Sequence, residues 1–508
     1  MIIRIILPII LVLTCFFVVI VNSGGLGSRS DGATPIYNRR AIEDDVTNFS
    51  SIDYKVQALP VTRDTGSLHD TEIFGYEVIP REDSIEYIKK IINKAQDKKI
   101  HITVKGTQHS QGGHSYSRGG IVLDLSNLNN IELLGKNLVR IQAGATWQQV
   151  IEFLNPLGLS IAVMQSDYDF SVGGTVSTNV HGWQANKPPM VSTIHGFHIL
   201  TSEGKVIYCN RNENYDLFKA AIGGYGMFGV IIDVDLKIVP NRLYRLKQEV
   251  FNIGEFPSYF QREVKDNSKA NMFFGRFSIS KRYFLKRLIV KIYEDYDLPI
   301  ANSSLSVLNG SDEFVSLLFA STYNNQFFKK IRWYIETSKA VNKVFKTASR
   351  NQLLYQSTKV YTTKDPKKID LLQEYFIPIN RFNEFVSFLQ TLQKDISPYL
   401  MNLTLRHIEG DSETLLNYAK EDMLCFVMLL RGPKTEKFDQ DIGRVAIKIT
   451  NKALQLNGSY YLPYRPYQTR LQFMQSYPKF HRFKTIKNKY DPKMIFVNEF
   501  YKNYIEEL

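Results

Sequence analysis

The spacing of apolar and polar positions changes several times along the chain, and each change marks an expected element. Residues 5–21 are 17 uncharged, almost wholly apolar positions, followed by Asn22, Ser23, Gly24 and Gly25. That length lies at the lower edge of a bilayer span and slightly above a signal-peptide core, so residues 1–23 are expected to be a signal anchor or a cleaved signal peptide. Residues 24–70 have no periodicity and are rich in Ser, Asp, Gly and Thr, which reads as a linker. From Phe74 the pattern becomes regular: a short strand ending at Pro80, then a helix from about Asp83 with Ile85, Ile88, Ile92 and Ala95 at helical spacing. Strand-like runs at 100–104, 121–125 and 138–143 precede a helix that begins at Thr146 and stops at Pro156 and Gly158. A stretch at 197–210, a helix near 216–222 and a strand at 230–239 complete a unit closed by Pro240. Beyond it, strand-like runs at 271–279, 287–292, 403–408 and 424–430 mix with helices around 381–395 and 437–455. The expected fold class is α+β, with one part at 71–240 and a second at 241–465.

Composition changes this picture only at the edges. Of 508 residues, 44% are hydrophobic and 22% charged, which excludes a disordered or collagenous chain. Three cysteines exclude a disulfide scaffold; Cys15 falls in the apolar run, and Cys209 and Cys425 are expected as buried thiols. Sequons at Asn48, Asn302, Asn309, Asn402 and Asn457 fit a non-cytosolic, glycosylated body, whether anchored or secreted. The net charge of +13 is compatible with anionic partners, although Lys-rich solvated surfaces account for most such balances. Residues 327–350 interleave Lys and Arg with Phe, Trp and Ile, which reads as an amphipathic helix; a basic membrane-surface or nucleic-acid-binding protein is the alternative from another class. Nucleic acid is not the expected partner.

Three glycine-rich segments carry the candidate chemistry. Residues 224–229 read G-Y-G-M-F-G and satisfy the dinucleotide regex, but the next ten residues alternate as a strand, whereas that fingerprint needs a helix. The segment then reads either as a plain glycine-rich turn into a strand or as a turn in which Gly224, Gly229 and Val230 bring backbone close to a bound cofactor. Lys105, Gly106, Thr107, Gln108, His109 and Ser110 follow a strand directly, and small residues there let N–H groups converge on phosphate oxygens, with Lys105 adding charge. Ser171, Gly173, Gly174, Thr175, Ser177, Asn179, His181 and Gly182 form a second small, His-bearing loop. Together the loops point to an extended nucleotide cofactor. His109 and His114 lack the carboxylate or cysteine spacing of a metal pair, and no metal is expected.

These segments, KGTQHSQGGHSYSRGGIVLDLSNL at 105–128, SVGGTVSTNVHG at 171–182 and GGYGMFGVI at 223–231, resemble the FAD-binding domain of the vanillyl-alcohol oxidase and p-cresol methylhydroxylase (PCMH) superfamily. The resemblance covers about residues 70–240 and resumes at 477–480 and 490–498, so residues 466–508 are expected to return to the FAD domain. The His-Gly ending of the second loop is nearest in look to the aldonolactone oxidase, alditol oxidase and decaprenylphosphoryl-ribose oxidase branch. The resemblance implies a two-part PCMH-type FAD-binding domain at 71–240 and an α+β substrate-binding cap at 241–465. It also implies FAD joined covalently through His109, with Gln108 in place of the family's glycine; Asp169, Phe170 and Ser171 stand where bicovalent members have a cysteine.

The same resemblance assigns Glu374 an acidic place near the flavin, Arg406 the cation that faces its N1 side, and Tyr461 a substrate-facing segment in which Tyr464 replaces a lysine. Glu374 or His181 would orient or deprotonate a hydroxyl. The implied activity is an FAD-dependent oxidoreductase acting on a CH–OH group of a sugar, alditol or aldonolactone, with a hydroxylated or anionic small-molecule substrate and O2 or another electron acceptor. An amine or cytokinin-type dehydrogenase is the alternative within the superfamily.

Overall fold

Three main sheets, a two-stranded pairing of Val61–Thr62 with Thr71–Glu72, and the helices between them account for the computed structural model, which describes residues 61–62, 71–300, 304–305, 312–338 and 347–507. The expected N-terminal helix at 1–23, nearly all of the expected linker, and Asn48, Asn302 and Asn309 lie outside the described residues. Among the described residues no helix is long and apolar enough to cross a membrane.

The first sheet is small and parallel, with Ile121–Asp124 between Gly75–Val78 and Ile102–Lys105. The two outer strands run the same way, and the helix Ser84–Lys98 supplies the crossover between them, burying Ile88, Ile91, Ile92 and Ala95 on the face that its spacing predicts; the loop 106–120 then leads to the central strand. The second sheet is antiparallel, in the order Val206–Asn210, Ile194–Leu200, Val230–Pro240, Leu138–Gln142, Ile131–Gly135, with Leu159–Ile161 pairing the far end of the long central strand. The helix Trp147–Leu154 starts in a capping box, Thr146 with Gln149, and ends where Pro156 and Gly158 break it. A strand, and no helix, follows the 224–229 turn, as the alternating pattern predicts.

The third sheet has eight strands, in the order Thr347–Ser349, Leu243–Asn252, Arg287–Asp295, Ala270–Phe277, Leu400–Ile408, Met423–Pro433, Lys368–Pro378, Ser459–Tyr460, and every pair is antiparallel. Period-two alternation divides its side chains between two environments. On one face Tyr375 and Phe426 pack against Phe385 of the helix Phe382–Thr391. On the other, Glu374, Arg406, Thr404, Asn402, Val427 and Lys291 line a cavity. Because both faces are covered, Met423–Pro433 is buried along nearly its whole length and reads as an unbroken apolar run.

The basic segment near 327 forms a helix, as the amphipathic reading expects. The helix Gln326–Thr337 buries Lys329 and Arg332, leaves Lys330 exposed, and exposes two of its rings: Phe327 is 57% and Tyr334 62% exposed. Lys329 Nζ donates to the Ser397 carbonyl at 2.6 Å and Arg332 Nη1 to that of Met401 at 2.8 Å, so neither is offered to a lipid or nucleic-acid surface. Cys209 and Cys425 are buried free thiols, as expected. Asn402 faces the cavity and accepts from Arg332 at 3.3 Å, an unsuitable place for a glycan.

Candidate active site

One cavity of about 880 Å³ is bounded by the 105–111, 165–183 and 225–231 segments on one side and by the inner face of the eight-stranded sheet on the other. The two glycine loops meet because Gly106 has no side chain: a Cβ there would lie 1.9 Å from Ser171 Oγ. Thr107 then ties them, its Oγ1 accepting from Ser171 N at 3.0 Å and lying 3.0 Å from His109 Nδ1. Gln108 takes φ 61°, a conformation in which glycine is at ease, which explains how Gln serves there while donating to the Tyr116 hydroxyl at 2.7 Å. The His109 ring stacks on Phe170 with centroids 3.9 Å apart. Burial pushes its pKa down to about 4, against the opposing pull of Asp169, so the ring is neutral. Among the described residues the N–H groups of Thr107, His109 and Ser110 make no hydrogen bond.

Lys105 is not a free charge for phosphate. Its Nζ lies 2.6 Å from Asp124 and donates to Tyr76 at 2.5 Å, so the expected contribution to an anion nest is cancelled within the fold. Ser171, Gly173, Gly174, Thr175 and Ser177 line the cavity along a short helix, Val172–Ser177, pressed so close to Ala143 that a Cβ on Gly173 would sit 2.7 Å from it. Gly229 also lines the cavity, with φ 139° and the Leu200 carbonyl where a Cβ would go. Four expected ligand residues stand outside the lining. Asn179 shapes the turn, φ 46°, through bonds to Asp411 and Val191. Gly182 is pressed against the Met164 carbonyl, Gly224 against that of Ala220, and Val230 is buried at the start of its strand.

The sheet brings Glu374, His181, Tyr461 and Arg406 to the same cavity. Glu374 accepts from His181 Nε2 at 2.7 Å, Tyr464 Oη at 2.5 Å and Cys425 Sγ at 3.2 Å. Burial alone would raise its pKa, but His181, Arg406 and Tyr464 outweigh that and hold it at about 2. A carboxylate held so low suits the orienting half of its expected role, as an anchor for its three donors, better than the deprotonating half. Arg406 is half-buried, and desolvation opposes its charge, but Glu374, Cys425, Tyr464 and Asp167 more than restore it. Tyr461 donates to the Thr178 carbonyl at 2.9 Å, and its ring walls the site beside His181 and Tyr418.

Sequence reasoning missed Asp167. This buried carboxyl lines the cavity and is hydrogen-bonded by the Tyr361 hydroxyl. Burial raises its pKa to about 6, while Tyr361 and Arg406 pull the other way. A carboxyl poised in that range inside a cavity is a candidate proton acceptor. The only signal in the sequence is its place four residues before the second glycine loop; its partner Tyr361 is nearly 200 positions away. His181, Glu374 and Cys425 also place three donor atoms within 4.8 Å of one another. With Glu374 already accepting from three groups and the Arg406 charge beside it, this cluster is a hydrogen-bond network and does not suit a cation.

Comparison with known proteins agrees with this arrangement. Residues 77–210 match the family described as FAD binding domain. L-gulonolactone oxidase of Bos taurus is 22% identical over 440 residues, 82% of this chain and 92% of that protein. Cytokinin dehydrogenase 5 of Oryza sativa subsp. japonica is 28% identical over 32% of this chain and 34% of its own length. Decaprenylphosphoryl-beta-D-ribose oxidase of Mycolicibacterium smegmatis is 25% identical over 32% of this chain and 36% of its own length. The last two matches therefore span about a third of those relatives.

Proposed function

We propose that this chain, whose residues 77–210 are an FAD-binding domain of the vanillyl-alcohol oxidase and PCMH superfamily, is an oxidoreductase that oxidises a CH–OH group of a sugar, alditol or aldonolactone. The observation that carries the reading is the joining, in one cavity, of glycine-edged loops with a cluster of Arg406, Glu374, His181 and Asp167, the last three buried. The loops fit a flat, extended cofactor: at Gly106 and Gly173 there is no room for a side chain, and unpaired N–H groups stand at 107, 109 and 110.

FAD bound there supplies a hydride acceptor. The remaining tasks fall to side chains. Arg406 holds a permanent positive charge where negative charge develops. Asp167 takes the hydroxyl proton, with Tyr361 holding the carboxyl in place. Glu374 fixes His181 and Tyr464, and those rings orient the substrate hydroxyls. His109, neutral and stacked on Phe170 with Thr107 at its Nδ1, is on this reading the ring that would bond the cofactor covalently. The polyol and lactone reading is supported over the cytokinin-type amine reading by two facts. The L-gulonolactone oxidase match runs through most of both chains, and a cavity lined by Arg406 and other cations repels an amine that carries charge.

A screen of alditols, aldoses, aldonolactones and amines by anaerobic flavin bleaching tests this. Bleaching by a polyol or lactone is the expected result, and bleaching by amines alone would replace the reading. O2 or another acceptor would then reoxidise the protein. We also place the catalytic body on the non-cytosolic side of a membrane or in a secretory route, on the strength of the apolar run at 5–21.

A further inference from the structure

The inner face of the eight-stranded sheet carries a second group of charges that neither the cofactor loops nor the Arg406 cluster uses. Arg276 lies beside Thr404 in the register of neighbouring strands, and Lys291 beside Phe274 one strand further out. Arg332 enters from the helix Gln326–Thr337, and all three cations line the cavity. Arg276 Nη1 and Arg332 Nε share the Glu336 carboxylate at 2.5 and 2.8 Å. Burial would raise the Glu336 pKa, but the two guanidiniums hold it at about 2, so it stays charged. Lys291 has no carboxylate partner among the described residues; its Nζ lies 5.8 Å from the centre of the Phe274 ring. Burial, aided by Arg276, pushes its pKa down to about 8. Arg276 Nε is buried without a hydrogen-bond partner.

Three cations against one carboxylate leave a surplus of two positive charges. The neighbouring walls are apolar, from Leu246, Val315, Leu318, Phe319 and Ile335, so water does little to offset that charge. The lobe is continuous with the Arg406 cluster. Asn402, Thr404 and Arg406 alternate along one strand face and all line the cavity, and Arg332 bonds Asn402. Four residues of strand place the two ends roughly 13 Å apart, with Arg276 beside the midpoint.

We propose that this lobe is an anion subsite of the substrate pocket, so that the substrate carries an oxyanion, best a phosphate ester, at the end remote from the carbon that is oxidised. A phosphate dianion balances the surplus and offers oxygens to Lys291 Nζ and Arg276 Nε; a carboxylate balances half of it. The proposal rests on the CH–OH reading above for the reacting end and on the cation cluster alone for the other.

Calorimetric titration of the purified, flavin-loaded protein with ribitol, ribonate and ribitol 5-phosphate tests it, because the three differ only at the terminal group. The expected result is that at least one anion binds about tenfold or more tighter than ribitol, the scale of one charge-assisted hydrogen bond. Preference for the phosphate identifies an ester, and preference for ribonate a carboxylate. Lys291→Met, which leaves Arg276 and Arg332 in place, should cut the anion preference by about tenfold while leaving the affinity for ribitol unchanged. Met keeps an unbranched stem and breaks no side-chain hydrogen bond among the described residues, and the wild-type comparison stands even if the variant fails to fold. Equal affinities for all three compounds, or an anion preference undiminished in Lys291→Met, would overturn the subsite. Flavin bleaching by uncharged polyols with no anion preference would remove the subsite and keep the oxidoreductase reading. Anion-selective binding without bleaching by any polyol would do the reverse.

Discussion

At the scale of the residue, burial and pairing push the two cavity carboxyls in opposite directions, and this divides their work. Glu374, with His181, Arg406 and Tyr464 outweighing its burial, stays ionised until about pH 2. Its share of folding stability is therefore complete above the ordinary carboxyl value of roughly 4.3 and is lost as pH falls toward the folded one. Asp167, raised to about 6 because burial outweighs Tyr361 and Arg406, is protonated on the acid side of that value and charged above it. A base must be charged to act, so flavin reduction should fall as pH drops through about 6. Asp167→Asn should remove this limb and slow reduction by about 100-fold or more, as read by stopped-flow absorbance. An unchanged pH profile would make Asp167 structural. Arg406→Ala should slow reduction by about 100-fold with FAD still bound, since it removes one preorganised electrostatic stabiliser. His109→Ala should release flavin on acid precipitation, whereas the wild-type pellet stays yellow and gives a fluorescent band on a gel; a colourless wild-type pellet counts against the covalent bond.

At the scale of the element, the site depends on how closely loops can approach. The 105–110 loop and the 171–177 segment touch at Gly106 and Ser171, and Thr107 is held between Ser171 N and His109. A methyl group at 106 has no room, so Gly106→Ala must part the loops and move His109. The expected outcome is a folded protein that retains much less FAD, measured by the ratio of flavin to protein absorbance after gel filtration. Full retention would show that the loop gives way elsewhere. The sheet works differently: strand alternation places Asn402, Thr404 and Arg406 on one face, and Leu403, Leu405 and His407 are buried on the other. The helix Gln326–Thr337 contributes by inversion, since it turns Lys329 and Arg332 inward to neighbouring carbonyls and leaves Phe327 and Tyr334 in solvent.

At the scale of the whole molecule, the cavity draws its walls from segments far apart in the chain, such as Gly106, Asp167, Arg276 and Tyr464. The positive balance of the chain thus has a local meaning: some of its cations are turned into the cavity, where an anionic substrate would meet them. The apolar run at 5–21 bears on where this happens. Expression with and without residues 1–23, followed by fractionation and glycosidase treatment, should show the full chain in membranes or the medium and the shortened form in the soluble cell fraction. Equal distribution of the two would remove the targeting proposal.

Local chemistry determined what could be read without coordinates. Helical spacing of Ile88, Ile92 and Ala95, the Thr146 cap, the strand after Gly229 and the small residues around His109 each express a preference of a few neighbouring residues, and the structure carries them out. The cofactor loops were legible for the same reason, since a backbone that must approach a ligand requires small residues in sequence. Side chains that converge across the sheet were legible only in part. Glu374, Arg406, Tyr461 and His181 were placed in the pocket, but whether Glu374 accepts protons or anchors donors depends on three neighbours from distant segments. Asp167 and Tyr361, and Lys291 with Arg276 and Arg332, are ordinary residues until strand register and helix packing bury them together. Desolvation and charge pairing act through space and not along the chain, so only the tertiary structure decided which carboxyl is poised to move a proton and where positive charge is left over.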